Sequence, residues 1–256
     1  MLFQVGLHDL LILCVFGAAW GGIWASFLGC MVWRIPRGIP LSRRSFCSSC
    51  KHKLSPLDLV PIFSWLLLGG KCRYCGAKVP AHYVISEIVF ASMSVLCLLQ
   101  YGITVVMLRN WIFLCCLFCI AMAEWDSGMY LDAPITIGLI VWIGTFPYVG
   151  LSIRDALVTL LNCIFLFFVL DQLCKLLIDL LNFAPFKGFG YHTTCAALLS
   201  VAALYLKAPP TLLALVLACV LLFLLRAGMK PAEETPLGST AAMMAVSSAI
   251  ILLLRI

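Results

Sequence analysis

The sequence predicts an all-α fold, a polytopic membrane helix bundle of about eight transmembrane helices. The first observation is composition: 64% of the 256 residues are hydrophobic, 11% are charged, and the mean hydropathy is +1.11. The second is that apolar runs long enough to cross roughly 30 Å of hydrocarbon recur along the chain. The third is one long basic loop, which holds four cysteines between the first two runs. Together these features exclude a soluble globular domain.

The predicted helices follow from the apolar runs taken in chain order. The first run lacks the basic stretch that precedes the apolar core of a secretory signal, so we interpret it as a retained helix. The chain then divides into a first transmembrane helix at 1–33, a loop module at 34–83 and a multi-helix membrane domain at 84–256. The eight runs cover residues 10–33, 84–101, 111–125, 135–149, 156–181, 194–206, 210–225 and 237–254.

The basic residues predict the orientation of the chain in a plasma membrane. Nine of the 17 lysines and arginines lie in the loop between the first two helices, and the positive-inside rule makes that loop cytosolic. Arg109, before the third helix, is then expected on the opposite side. The net charge of +6 is thus mostly one cytosolic patch, for which anionic lipid headgroups are the expected partner and nucleic acid is not. The nine are Arg34, Arg37, Arg43, Arg44, Lys51, Lys53, Lys71, Arg73 and Lys78.

Four of the 14 cysteines form a metal-binding pattern. Cys47-x2-Cys50 and Cys72-x2-Cys75 are two knuckles with 21 residues between them, and two knuckles supply the four thiolates that structural zinc prefers. A reducing cytosol favours metal over disulfides. The alternatives are two unlinked turns, or His52 as a competing ligand. Between the knuckles, "SPLDLVPIFSWLLLGG" is apolar enough to lie on the membrane surface.

Several stretches together resemble the prepilin peptidase family, the inner-membrane leader peptidases and N-methyltransferases of type IV pilus and type II secretion systems. The resemblance is carried by "ASFLGCMVWRIPRG" and by "SFCSSCKHKLSPLDLVPIFSWLLLGGKCRYCGAKVPAHYVISE", and less closely by "TPLGSTAAMMAV". It covers most of the chain and is strongest over residues 26–87. It implies a multi-pass inner-membrane protein with its active site facing the cytoplasm.

The resemblance further implies an aspartic protease of the GxGD type. Such a family uses two aspartates at the cytosolic ends of membrane helices to cleave the basic leader of prepilins or pseudopilins. Two nearby carboxylates share one proton, so that one acts as base and the other as acid. Many members then methylate the new N-terminus with S-adenosylmethionine as the cofactor.

The first aspartate of such a pair matches Asp126 in "AEWDSGMYLDAPIT", where Asp132 is a further candidate. An ionisable residue at a helix mouth is also a functional candidate on physical grounds alone. The second aspartate of the family follows the glycines of the GxGD motif. In "KGFGYHTTC" these glycines are present, but His192 and Thr193 stand where the family has its second aspartate. The second catalytic aspartate is therefore replaced at this position.

Three interpretations of this replacement remain open. His192 or Thr193 works with Asp126 to polarise a water, or a second carboxylate comes from elsewhere, namely Asp132, Asp171 or Asp179. In the third, peptidase activity is lost and the protein is a degenerate homologue that acts as a methyltransferase, a pilin-binding protein or an assembly scaffold.

Overall fold

The computed structural model describes residues 6–127, 132–162 and 164 of the chain. All of its regular secondary structure is helical apart from two isolated antiparallel bridges, which confirms the predicted all-α class. Residues 153–162 are also helical. The helices are α1 (Leu7–Arg34), α2 (Phe63–Leu67), α3 (Ala81–Tyr101), α4 (Val105–Ser127) and α5 (Asp132–Thr145), with single 3₁₀ turns at Ile35–Arg37, Pro56–Leu59 and Phe146–Val149.

Three of the described helices are long and apolar enough to cross a membrane. They are Leu7–Arg37, Ala81–Tyr101 and Val105–Ala123, and Ala133–Val149 is a shorter apolar helix. The predicted helices at 194–206, 210–225 and 237–254, and most of the one at 156–181, lie outside the described residues. The predicted number of eight therefore stays a prediction.

The described residues belong to two compact units, one up to Ile103 and the other from Thr104 onward. In the first unit α1 and α3 pack side by side, with a row of small residues on α1 against α3. Gly17, Gly21 and Ala25 are buried in this row. A Cβ placed on Gly21 would lie 2.6 Å from the Ser94 Oγ atom and 2.8 Å from the Ala91 Cα atom. The two backbones thus approach closely because glycine has no side chain there.

Gly21→Ala is expected to lower the free energy of unfolding by about 1–3 kcal/mol, because the new methyl group forces α1 away from the backbone of α3. The matched control is Gly22→Ala, whose new Cβ would meet only Pro61 Cβ at an ordinary 3.5 Å. Thermal unfolding of both variants in the same detergent makes the comparison. Equal melting temperatures would contradict the close approach.

In the second unit, one helix boundary predicted from the sequence is wrong. The helix predicted at 111–125 begins at Val105, where the Thr104 hydroxyl accepts a hydrogen bond from the Met107 N–H at 3.1 Å. Arg109, expected in the preceding loop, is inside α4 with only 3% of its surface exposed. A threonine cap decides the boundary here, because it satisfies a helix N–H that the apolar run alone does not reveal.

Candidate functional site

The two cysteine knuckles fold in the same way. In each, the first cysteine and the residue four positions later are joined by a backbone hydrogen bond of 2.9 Å, from Lys51 N–H to Cys47 C=O and from Gly76 N–H to Cys72 C=O. The later residue has a positive φ in both, 61° for Lys51 and 69° for Gly76. Each knuckle is closed at its base by an isolated bridge, Phe46 with Lys53 and Lys71 with Lys78.

The knuckles bring all four predicted sulfurs together. The ligand atoms of Cys47, Cys50, Cys72 and Cys75 lie within 4.8 Å of one another, and the Sγ atoms of Cys47 and Cys75 are 3.9 Å apart. A tetrahedron with metal–sulfur bonds of about 2.3 Å has sulfurs about 3.8 Å apart, so the cluster fits a four-coordinate zinc ion. His52 is not part of this cluster and packs against Tyr74, with ring centroids 3.7 Å apart and the ring planes tilted by 31°.

The surroundings shift the pKa values of Cys47 and Cys75 in opposite directions. The N–H of Cys50 hydrogen-bonds to the Cys47 sulfur and is the main reason that the pKa of Cys47 falls to about 6. The N–H of Ala77 lowers the pKa of Cys75, but desolvation and the contacts with the other sulfurs, that of Cys50 foremost, together raise it to about 11. The arrangement therefore favours a thiolate at Cys47 at neutral pH, and thiolate is the form that binds metal.

Asp58 fastens the middle of the loop to the second knuckle. Its Oδ2 atom accepts hydrogen bonds from the Ser55 hydroxyl (2.8 Å), the Ser55 N–H (3.0 Å) and the Tyr74 hydroxyl (3.1 Å). Its Oδ1 atom lies 2.8 Å from Nε of Arg73, and only 3% of the Asp58 side chain is exposed. The Ser55 hydroxyl is the leading cause that holds the pKa of Asp58 below its ordinary value. The signal that sequence analysis missed is the capping box formed by Ser55 and Asp58.

Arg34 fastens the start of the loop to the end of α1. It is 4% exposed, and its Nη1 atom donates to the backbone carbonyls of Pro40, Leu41 and Arg43 at 3.4, 3.2 and 2.6 Å. Its Nη2 atom lies 3.4 Å from Ser45 Oγ. From the sequence, Arg34 is expected only to contribute one charge to the basic patch. Because its guanidinium contacts several carbonyl groups at once, Arg34 has a structural role that lysine could not fill.

The tip of the loop, residues 60–63, lies deep beside α1. Pro61 lies opposite Gly22 of α1, which is 12 residues before Arg34 and so about 18 Å below it along the helix axis. Gly22 is near the middle of a helix long enough to cross a membrane, while the expected position of the segment on the membrane surface stays a prediction. Non-helical backbone at such depth needs its polar groups satisfied by protein.

The carboxylate of Glu87 on α3 accepts a hydrogen bond from the backbone of the loop tip. Ile62 has φ 64° and ψ −56°, and the Phe63 N–H bonds back to the Pro61 carbonyl at 2.6 Å, so the tip is a γ-turn. A positive φ is strained for a β-branched residue. The Ile62 N–H donates to Glu87 Oε2 at 2.7 Å, and the Ser26 side chain of α1 interacts favourably with this carboxylate. Glu87 thus joins the tip to both helices.

Glu87→Ala is expected to lower the free energy of unfolding by about 1–3 kcal/mol, because it leaves the Ile62 N–H buried without an acceptor. Glu87→Gln is the matched control, since its amide oxygen can still accept that hydrogen bond. Limited proteolysis of the loop, followed with thermal unfolding, makes the measurement. A glutamine variant as unstable as the alanine variant would point to the charge instead of the hydrogen bond.

The remaining candidate residues are placed only in part. Asp126 lies in the last turn of α4, partly buried, with its Oδ2 atom shielded from solvent. Asp132 is the first residue of α5. His192 and Thr193, with Asp171 and Asp179, lie outside the described residues, so the choice between the three interpretations of the second motif stays a prediction.

Comparison with known proteins finds a family model that matches the loop with the four cysteines and the helices on either side of it. Residues 19–101 match the model of the bacterial Peptidase A24 N-terminal domain. This range contains the second half of α1, both knuckles, the loop tip and α3. No solved structure matches the chain.

The relatives that match are leader peptidases by name. A prepilin leader peptidase/N-methyltransferase of Vibrio cholerae is 42% identical over 77 residues, which are 27% of this chain and 30% of the relative. The Bacillus subtilis protein of the same name is 31% identical over 114 residues, 44% of each chain. A type 4 prepilin-like proteins leader peptide-processing enzyme of Escherichia coli is 26% identical over 181 residues, 61% of this chain and 66% of the relative. The chain thus spans less than half the length of the first two.

Proposed function

We infer that this chain, which belongs to the prepilin peptidase family, is a membrane-embedded aspartic endopeptidase that removes the leader of prepilin-like proteins. The observation that carries the proposal is the match over residues 19–101, where the features of the strongest part of the resemblance, residues 26–87, lie in one compact unit. Arg34 of "RIPRG", the four cysteines and Glu87 each hold a different part of that unit.

Asp126 is the proposed catalytic carboxylate. It stands at the end of a membrane helix, where a partly buried acid is expected to serve function more often than stability. A carboxylate in this place can take a proton from water while a second group donates one to the leaving amine. We assign the role of this proton donor to His192 or Thr193 in "KGFGYHTTC", or to Asp132, which are the candidates that the sequence predicts.

The four cysteines are proposed to hold one zinc ion in a structural role. Four protein sulfurs complete the tetrahedron and leave no position for substrate or water, so the metal would supply rigidity and no chemistry at the peptide bond. The names of the relatives also include N-methyltransferase. Methylation of the new N-terminus, with S-adenosylmethionine as donor, is proposed as a second activity of the same chain.

The proposed location is the bacterial inner membrane, with the basic loop on the cytosolic face. The substrates, prepilins of type IV pili or pseudopilins of type II secretion, carry a basic leader that stays on that face by the same rule. Enzyme and scissile bond are then expected on one side of the membrane.

The test is leader cleavage in membranes. The chain is co-expressed with a prepilin-like substrate, and the leader is followed by gel while mass spectrometry reads the new N-terminus and any methyl group on it. A relative that has both aspartates is the positive control. Alanine substitutions of His192 and Thr193 and Asp132→Asn, each alone, identify the group that works with Asp126.

Absence of cleavage by correctly inserted protein, while the control relative cuts the same substrate, would overturn the peptidase assignment. The second candidate then takes its place, a catalytically degenerate homologue that binds pilins or assembly partners. Retention of uncut substrate on the purified chain would support that candidate.

A further inference from the structure

A cleft of about 460 Å³ runs beside the last two turns of α1. One wall is α1, with Phe27 and Met31 facing the cleft, and the other wall is the cysteine loop, with Leu54 and Leu59. Phe27 lies seven residues before Arg34, so the cleft reaches about 10 Å below the end of α1. Its lower part is therefore apolar and lies at the depth of lipid chains.

The upper part of the same cleft is basic. Arg34, Arg43 and Arg44 line it, and no carboxylate is among its lining residues. The guanidinium of Arg34 is occupied by loop carbonyls, and that of Arg43 lies 4.8 Å from the Phe46 ring centroid. Arg44 is exposed, and within the described part of the chain it has no ion pair. The positive charge here is left without an acidic partner from the cleft itself.

We propose that this cleft binds one anionic phospholipid, with its headgroup against Arg43 and Arg44 and the upper part of an acyl chain along Phe27 and Met31. The charge pattern selects an anion, because a basic peptide would be repelled at the rim. The apolar lower part of the cleft favours an amphiphile, because a soluble phosphate would leave this part unfilled. None of the four clustered cysteines lines the cleft, and the proposal does not depend on peptidase activity.

Native mass spectrometry of the full-length chain in neutral detergent tests the proposal. Phosphatidylglycerol and phosphatidylcholine with identical acyl chains are titrated separately. Wild type is expected to bind phosphatidylglycerol more tightly, and Arg43→Gln/Arg44→Gln to weaken that binding about tenfold or more while leaving phosphatidylcholine unchanged. The matched control is Lys71→Gln/Lys78→Gln, which removes the same charge from exposed positions of the loop outside the cleft.

Two further measurements distinguish a specific lipid site from non-specific attraction of anions and from misfolding of the variants. Arg44→Gln alone should weaken phosphatidylglycerol binding without changing the melting temperature of the lipid-free protein, because this side chain holds no other part of the loop. Inorganic phosphate and glycerol phosphate at millimolar concentration should fail to displace the lipid. Equal losses in the arginine and lysine variants, no preference for phosphatidylglycerol in wild type, or displacement by the soluble phosphates would each overturn the proposal.

Discussion

Asp126→Asn is expected to lower the rate of leader cleavage by about a thousandfold or more, with little change in the amount of folded protein in the membrane. Catalytic groups that act as a unit lose most of their effect when one is removed, and an amide cannot take a proton from water. The measurement is the initial rate of leader release from a prepilin-like substrate at equal levels of inserted enzyme.

Asp155→Asn is the matched control for this substitution. Asp155 belongs to the same unit as Asp126 and is exposed, and its carboxylate accepts a hydrogen bond from Ser152 at 2.7 Å. We expect it to cut the substrate at the wild-type rate. An Asp126→Asn enzyme that is as fast as this control would remove Asp126 from the mechanism and direct attention to Asp132 and the glycine-rich motif.

Cys72→Ser is expected to release the metal and unfold the loop while the helices stay inserted. Metal binding contributes folding free energy directly, about 10–16 kcal/mol for zinc-finger peptides, so the loop should not keep its structure on three ligands. Metal content per chain and the rate of proteolysis between the knuckles are the two measurements. Wild type is expected to carry one zinc ion per chain.

Cys14→Ser is the control for the effect of losing a thiol, since Cys14 lies on α1 away from the cluster. Its metal content and protease resistance should match those of wild type. Because Cys50 and Cys75 are exposed, a strong chelator should reproduce the Cys72→Ser result on the unmodified chain. Full zinc content in the Cys72→Ser protein would contradict a four-cysteine site.

Local pattern was enough to predict the helix pair and the cysteine cluster. Apolar length gave α1 and α3 to within three residues at each end, because the hydrocarbon thickness fixes how many residues a helix needs. Cysteine spacing gave the four-sulfur cluster, because a two-residue gap turns both sulfurs of a knuckle to one side. Both are decided by residues close together in sequence.

Long-range contacts could not be predicted in the same way. The hydrogen bond between Ile62 and Glu87 joins residues that are 25 positions apart. No residue near Ile62 in the sequence predicts the positive φ of Ile62. The carbonyl contacts of Arg34 likewise depend on the path of the loop after α1. Both belong to the packing between loop and helices, which is specified only once those elements meet.

The depth of the loop tip also sets an order of events during biosynthesis. The tip lies beside Gly22 of α1 and donates a hydrogen bond to Glu87 of α3, so its docking place does not exist until both helices have entered the membrane. Synthesis from Ile62 to Glu87 takes about one to five seconds at roughly 5–20 residues per second. During that interval we expect this apolar segment, which is too short to span the membrane, to lie at the surface beside α1. A chaperone or the insertion machinery would meet it there, before the second helix arrives to receive it.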